Sequence, residues 1–252
     1  MTTRDVTLRL GLSCPTGRWL GGGTGMIKDV AGYNVKRLFI GSCGSLGIIY
    51  EVMSRIAAIP DVIAVTRLNK ELDLFITRRL KPHGAIVVNG TMYLRFEGVK
   101  EEVEYRLSKL SEVSGFDVFY GNEAEELWYR LTSMDELFSN YNVVIKVVTP
   151  QARLNNALRE LPSDYLVKMP MIGEAYLGVN NIDVNALNAI RGGKVGDLSG
   201  YLMILKASPE LKRGIDVWGL NQNLDIMSKL KSVFDPPAIM SLGGSWVVYN
   251  EH

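Results

Sequence analysis

A chain of 252 residues, of which 47% are hydrophobic and 22% charged, is long enough to bury a substantial core as one large domain or two small ones. Its 28 Lys and Arg residues nearly balance its 27 Asp and Glu residues, so net charge favours neither nucleic acid nor anionic lipid as a partner. The longest apolar runs have the length of strands, which predicts no transmembrane segment, and the N-terminus lacks the apolar core of a signal peptide. We therefore expect an intracellular protein.

The first 59 residues are rich in glycine, and from residue 60 onward strands and helices alternate. Clustered glycines indicate a backbone that takes positive φ or that approaches a partner closely. The helices show apolar residues three or four positions apart, as Val103, Leu107 and Leu110 do. Strands are predicted at residues 6–10, 62–65, 85–88, 92–96, 143–148, 165–167, 174–179 and 202–205, and helices at 70–80, 100–110, 123–131, 150–161, 184–190 and 224–233.

The order of these elements predicts an α+β fold. Strands joined by short turns and interleaved with helices are typical of a mainly antiparallel sheet with helices on one face. For residues 60–210 we expect an arrangement of the split β-α-β, ferredoxin-like type.

Cysteine and histidine are scarce, which limits the chemistry open to this chain. Cys14 and Cys43 form neither a disulfide framework nor a zinc-ligand spacing, and we expect both to be small buried side chains. The two histidines are His83 and the terminal His252, so one chain cannot assemble a multi-histidine metal site. No nucleophile-elbow sequence accompanies His83, which argues against a catalytic triad.

Residues 27–49 carry most of the functional information. They read Ile-Lys-Asp-Val-Ala-Gly-Tyr-Asn-Val-Lys-Arg-Leu-Phe-Ile-Gly-Ser-Cys-Gly-Ser-Leu-Gly-Ile-Ile. Glycines before and after Ser45 and Leu46 let main-chain groups approach a planar, partly anionic ligand. Leu46, Ile48 and Ile49 supply apolar contacts for its faces. A lone Gly-x-Gly would be a weak signal, whereas the order of the whole run is specific.

This run resembles the second half of the FAD-binding domain of the FAD-linked oxidases, the superfamily of the vanillyl-alcohol-oxidase type. There, Lys-Asn/Asp-x-x-Gly-Tyr-Asp leads into Leu-x-x-Gly-Ser-x-Gly-Thr-Leu-Gly-x-Ile. Near the C-terminus, Leu230-Lys231, Phe234-Asp235-Pro236 and Ile239 resemble the signature Leu-Lys-x-x-Phe-Asp-Pro-x-x-Ile of the same superfamily. Within it, the chain is more similar to the FAD-binding subunit of glycolate oxidase than to the catalytic D-2-hydroxyacid dehydrogenases.

The resemblance implies FAD as the cofactor and a division into three segments. Residues 1–59 are expected to be the C-terminal half of a PCMH-type FAD-binding domain, residues 60–210 an antiparallel cap domain, and residues 211–252 a return to the FAD-binding domain. The flavin contacts that it implies are Lys28, Gly32, Tyr33, Gly41, Ser42, Gly44, Gly47 and Ile48.

The chain departs from the superfamily at its N-terminus. Relatives begin about a hundred residues earlier, within ordinary domain sizes, with the loop that grips the FAD pyrophosphate. We interpret the glycine run at residues 21–25 as a turn before Lys28, the alternative being a pyrophosphate loop. The resemblance therefore describes an N-terminally truncated member, in which either a second polypeptide supplies the missing half-domain or the flavin has been lost.

The sequence indicates no catalytic residue. Catalytic relatives carry a histidine motif, and residues 173–180, where we expect it, contain none. Glu174 and Tyr176 point to one face of a strand and are possible acids or bases, but we interpret them as rim residues.

Two functions remain open at this point. One is an auxiliary, FAD-binding subunit of a 2-hydroxyacid oxidoreductase that acts on glycolate or lactate, with a catalytic flavoprotein subunit and an iron–sulfur subunit as partners. The other is a scaffold subunit that has lost FAD and only docks a catalytic flavoprotein. Both predict a cytoplasmic protein that is peripheral at the membrane through its partners, without nucleic acid.

Overall fold

The computed structural model describes residues 3–22, 35–159, 161–190, 200–213, 215–219 and 224–240. The chain divides into two compact units, one of residues Met1–Ala58 and Leu220–His252 and the other of residues Ile59–Gly219. The sequence predicts these divisions after residues 59 and 210.

The described residues form eleven strands and ten helices. In chain order they are α1 (Thr3–Val6), β1 (Thr7–Ser13), β2 (Trp19–Gly22), α2 (Lys36–Phe39), β3 (Ile48–Ser54), β4 (Val62–Leu68), α3 (Leu74–Leu80), β5 (Gly84–Val88), β6 (Thr91–Gly98), α4 (Lys100–Ser111), β7 (Asp117–Tyr120), α5 (Gly121–Thr132), α6 (Met134–Leu137), β8 (Val143–Val148), α7 (Leu154–Leu158), β9 (Tyr165–Met169), β10 (Glu174–Val179), α8 (Val184–Ile190), β11 (Tyr201–Lys206), α9 (Pro209–Arg213) and α10 (Leu224–Phe234).

The first unit contains a three-stranded antiparallel sheet with β1 between β2 and β3. Leu10 and Leu12 of β1 are fully buried and pack in one cluster with Phe39 of α2. Gly21 pairs with Gly11 in the β1–β2 ladder. The expectation that the glycine run from residue 21 is a turn is therefore wrong at its start, where the ladder continues to Gly22; residues 23–25 lie outside the described residues.

The second unit contains an eight-stranded antiparallel sheet in the order β11-β8-β10-β9-β5-β6-β4-β7. The strands β4 to β7 and the strands β8 to β11 follow the same internal order. In each set the third strand lies between the first and the second, and the first lies between the third and the fourth. This is the split β-α-β arrangement, present twice, so the predicted α+β fold is confirmed.

The two sets meet where β5 pairs with β9, at Val87 opposite Lys168 and Val88 opposite Val167. The β5–β6 hairpin turns at Asn89 and Gly90, whose φ angles of 46° and 89° are those that a two-residue turn of type I′ requires. Asn89 also exchanges two hydrogen bonds of 2.9 Å with the backbone of Leu166 at the start of β9. The turn therefore fastens the two sets together.

Helices lie on both faces of this sheet. Val87 of β5 packs in one cluster with Leu107 of α4, whereas its neighbour Ile86 packs in another with Leu131 of α5. Successive residues of a strand point to opposite faces, so α4 and α5 cover opposite sides. The expectation that helices cover one face is wrong, because the segment that links the two sets folds back as α5 and α6.

Gly84 of β5 provides a test of this packing. A Cβ atom at this position would lie 2.6 Å from Cη2 of Trp128 on α5. We expect Gly84→Ala to lower the free energy of unfolding by about 1–3 kcal/mol, because the indole must move out of a packed cluster. Urea unfolding, monitored by circular dichroism, measures this change in the free energy of unfolding. Gly115→Ala is the control, since no atom lies within 4 Å of its added Cβ; equal stability of the two variants would refute this account of the packing.

Candidate cofactor site

Five of the eight predicted flavin contacts lie in one short segment. Gly41, Ser42, Gly44, Gly47 and Ile48 follow α2 and lead into β3. Lys28, Gly32 and Tyr33 lie outside the described residues. The cofactor loop, defined as residues 41–47, is therefore the part of the predicted site whose geometry the structure gives.

The cofactor loop presents its backbone to solvent. Gly41, Cys43 and Gly44 have φ angles of 88°, 51° and 74° and are exposed. Ser45 N donates to Ser42 O at 3.0 Å, and Ser45 Oγ donates to the same oxygen at 2.7 Å. Among the described residues, the N–H groups of Cys43 and Gly44 donate to no acceptor. Consecutive unpaired N–H groups beside left-handed residues are typical of a concave anion-binding backbone.

The two cysteines differ in environment. Cys14 is buried, and this burial raises the pKa of its thiol despite the charge of Arg18. Cys43 is exposed, so the expectation that both cysteines are buried is wrong for this one. The reason is local, because its left-handed backbone belongs to a turn that projects from the surface.

Gly47 has a packing role of its own. It is buried, and a Cβ atom there would lie 2.8 Å from the carbonyl oxygen of Ser13 and 3.0 Å from the ring of Phe39. The close approach of the loop to β1 accounts for this glycine without a ligand. Ile48, the next residue, is 59% exposed on β3.

A buried lysine fastens the cofactor loop to α10. The ammonium of Lys231 donates to the carbonyl oxygen of Ser45 at 2.7 Å, to Oδ2 of Asp235 at 2.5 Å and to the carbonyl oxygen of Met240 at 3.1 Å. The C-terminal signature and the glycine-rich motif, 186 residues apart in the chain, therefore meet at one side chain. Both motifs were recognised in the sequence, but the bond from Lys231 to Ser45 was not predicted.

Asp235 is the counter-ion of this lysine and is almost fully buried. Its Oδ1 accepts from Ile239 N at 3.2 Å and its Oδ2 from Met240 N at 2.9 Å. Burial by itself raises the pKa of this carboxyl, but the hydrogen bonds from Lys231, Met240 and Ile239 outweigh it and hold the pKa below its ordinary value. Asp235 therefore stays ionised in the folded unit.

Among the described residues, β3 is an open edge of the three-stranded sheet. All seven of its residues are exposed, and one side of the strand pairs with β1. Tyr50 lies across the sheet against Trp19 of β2, with ring centroids 4.9 Å apart, and Trp19 is 70% exposed. Natural edge strands are usually protected by lysine, proline or short length, and β3 has none of these. Its sequence contains one charged residue, Glu51.

Glu174 and Tyr176 lie side by side on one face of β10, as predicted. Tyr176 donates to Oε2 of Glu174 at 3.1 Å, and the ammonium of Lys146 on β8 lies 2.8 Å from the same oxygen. Burial and the charge of Glu174 raise the pKa of the Tyr176 phenol. Burial lowers the pKa of Lys146, but its hydrogen bonds to Glu174 and Tyr176 raise it by more. All three side chains are half-buried, and Tyr176 and Lys146 both contact the Glu174 carboxylate.

The described part of the chain holds no group of three or more His, Cys, Asp and Glu side chains that could bind a metal ion. None of its helices has both the length and the apolar character needed to cross a membrane.

Solved structures with a similar fold include two enzymes and a VAO-type flavoprotein. An alkyldihydroxyacetonephosphate synthase matches with a TM-score of 0.54 at 16% identity, over 94% of this chain and 53% of that chain. The VAO-type flavoprotein from Myceliophthora thermophila C1 matches with 0.52 at 10% identity, over 94% and 56%. The 4-ethylphenol oxidase from Gulosibacter chungangensis matches with 0.56 at 12% identity, over 95% and 65%. No family model and no curated protein sequence matches the chain.

The chain therefore has the fold of the VAO-type flavoproteins, and the predicted resemblance to the FAD-linked oxidases is confirmed at the level of the fold. It spans between 53% and 65% of the length of these three structures.

The Asp235 carboxylate makes the stability of the fold depend on pH. Because its folded pKa lies below the ordinary value of 3.8, it stabilises the fold at pH above 3.8, and this stabilisation is lost as the pH falls through the folded pKa. We expect the thermal midpoint of the wild type to fall more steeply between about pH 4 and pH 2 than that of Asp235→Asn. Asp225→Asn, at an exposed position on α10, the helix that ends just before Asp235, is the control. Parallel pH profiles for the wild type and Asp235→Asn would contradict the assignment.

Proposed function

We propose that this chain is an FAD-binding, auxiliary and non-catalytic subunit of a flavin-dependent oxidoreductase that acts on a 2-hydroxyacid such as glycolate or lactate. The observation that carries the proposal is the exposed backbone of the cofactor loop within a fold of the VAO type. The loop combines left-handed residues, N–H groups that have no acceptor among the described residues, and a sequence run that resembles the FAD-linked oxidases.

The cofactor loop fits a planar, partly anionic group. No atom of a described residue lies within 4 Å of a Cβ built on Gly44, so this side of the loop is open, and in our proposal the ring system of FAD occupies it. In the proposed complex Gly41, Ser42 and Gly44 contact FAD with their main chain, together with the residues of the predicted site that lie outside the described segments. When bound, FAD supplies the hydride acceptor, and the protein supplies binding and orientation.

The arrangement on β10 supports an auxiliary role. A general base needs a free lone pair within reach of its substrate. The carboxylate of Glu174 is held by Lys146 and by Tyr176, and the Tyr176 phenol has a raised pKa that keeps it protonated at neutral pH. In this proposal another subunit abstracts the substrate proton.

The exposed strand β3 supports a partner. Ile48, Tyr50 and Val52 are each more than half exposed, and a long apolar edge in water favours association. In our proposal a partner polypeptide covers this strand. A catalytic flavoprotein subunit and an iron–sulfur subunit complete the complex, which lies on the cytoplasmic side and reaches the membrane through these partners.

A scaffold subunit without flavin is the second candidate, because the same exposed strand would dock a partner whether or not FAD is present. The two candidate functions predict different visible absorption spectra. If FAD is retained, the visible absorption spectrum of the chain, isolated together with any bound polypeptide, shows the absorption bands of a flavin. A colourless preparation that takes up no added FAD favours the scaffold.

A matched pair of variants locates the flavin. Gly44 and Gly17 have φ angles of 74° and 75°, both in the first unit, and neither has an atom within 4 Å of an added Cβ. Gly44→Val and Gly17→Val therefore carry the same backbone strain, about 1–2 kcal/mol. We expect Gly44→Val to weaken FAD binding at least about tenfold, because its side chain enters the space for the ring. Gly17→Val should retain the affinity of the wild type.

Flavin fluorescence during titration with FAD measures both affinities, and thermal unfolding confirms that the two variants lose similar stability. Equal FAD affinity in the two variants would refute the position of the flavin at this loop.

A further inference from the structure

We infer that Lys231 is a positioning residue for the cofactor: it holds the peptide unit between Ser45 and Leu46 in the orientation that FAD binding requires. This inference rests on the proposed function. It adds a residue that lies outside the predicted set of flavin contacts and that belongs to the C-terminal helix α10.

The geometry supports orientation and not direct binding. Lys231 is 7% exposed, and its ammonium is surrounded by three acceptors on Ser45, Asp235 and Met240. Asp235 balances its charge, so the lysine adds no net positive charge that would attract a phosphate. What remains is a short, charge-assisted hydrogen bond to one carbonyl of the cofactor loop.

That hydrogen bond also affects the other end of the same peptide unit. The carbonyl of Ser45 and the N–H of Leu46 belong to one planar amide. A cation on the oxygen polarises the amide and makes its N–H a stronger donor, as in other chains of hydrogen bonds. The lysine therefore fixes the plane of this amide and strengthens its donor at the same time.

The cofactor loop needs an external fastening. Three of its residues, Gly41, Cys43 and Gly44, hold left-handed backbone conformations, which persist only where surrounding contacts determine them. Inside the loop, Ser45 bonds to Ser42, and the thiol of Cys43 donates to Gly41 O at 3.9 Å. The loop is held to the rest of the unit by the bond from Ser42 N to Phe39 O, by the side chain of Leu46 in an apolar cluster and by the bond from Lys231.

The same unit offers a matched control. Lys36 is also a buried lysine, 8% exposed, whose ammonium donates to a backbone carbonyl, that of Leu8 at 3.0 Å. The acceptor lies in β1 and not in the cofactor loop. Both variants remove a buried lysine from one unit, but Lys36→Met frees the carbonyl of Leu8, whereas Lys231→Met frees the carbonyls of Ser45 and Met240 and the carboxylate of Asp235.

The experiment compares these variants in two measurements on the full chain, isolated with any partner that it retains. Hydrogen–deuterium exchange reports on residues 42–47 without flavin, and fluorescence titration with FAD reports the affinity. For Lys231→Met we expect the hydrogen-bonded N–H groups of Ser42 and Ser45 to exchange at least about tenfold faster and FAD to bind at least about tenfold more weakly. For Lys36→Met we expect faster exchange in β1 and an FAD affinity like that of the wild type.

A second variant covers the case in which Lys231→Met does not fold. Lys231→Met combined with Asp235→Leu leaves no unpaired buried carboxylate, so it avoids the main cost of the single change, and it still lacks the bond to Ser45. The same two measurements apply, and the same loss of loop protection and of FAD affinity is expected.

The outcomes separate this inference from the proposed function. Wild-type affinity for FAD in the Lys231 variants, or unchanged exchange at residues 42–47, overturns the inference and leaves the proposed function intact. A wild-type chain that binds no FAD overturns the proposed function and the inference with it. Equal losses of affinity in the Lys36 and Lys231 variants also overturn the inference, because they indicate a general effect of stability.

Discussion

The first unit depends on the hydrogen bonds that the buried ammonium of Lys231 donates. This ammonium sits where α10, the cofactor loop and the residues after Asp235 converge, and it satisfies a carbonyl from each of two distant segments together with one carboxylate. A buried charge is tolerated only when it is paired and fully hydrogen-bonded, and here the pairing partner is itself held by two backbone N–H groups. Phe39 and Phe234 pack edge to face beside this network, with ring centroids 5.1 Å apart. Polar and apolar contacts thus join the same pieces of chain.

The second unit joins two similar halves in one sheet. Each half is a split β-α-β set, and the seam between them consists of the short β5–β9 pairing and the Asn89 turn. Lys168 reinforces the seam, because its buried ammonium binds Glu71, which precedes α3, and Asn155 of α7. Backbone and side-chain bonds therefore both cross from one half to the other, and the eight strands form one sheet.

Much of the second unit was predictable from local pattern. The strands at residues 143–148 and 174–179 and the helix at residues 184–190 agree with the structure at both ends. Short or glycine-rich elements were missed, among them β2 and β7. A four-residue strand such as β7 is too short to show a period, and it forms because β4 offers it a ladder. In the candidate site, the sequence predicted the same role, that of a flavin contact, for Gly47 and Gly44. The structure separates them, since one packs against Ser13 and the other faces open space.

The sequence by itself determined the α+β class, the antiparallel character of the large sheet and the identity of the glycine-rich motif, because periodicity and turn chemistry are local properties of the chain. Only the tertiary structure decided that helices cover both faces of the large sheet, that Cys43 is exposed and that β3 is an open edge. It alone brought Lys231 to the carbonyl of Ser45. Contacts between segments so far apart in the chain depend on the packing of the whole unit, and local sequence patterns do not predict that packing.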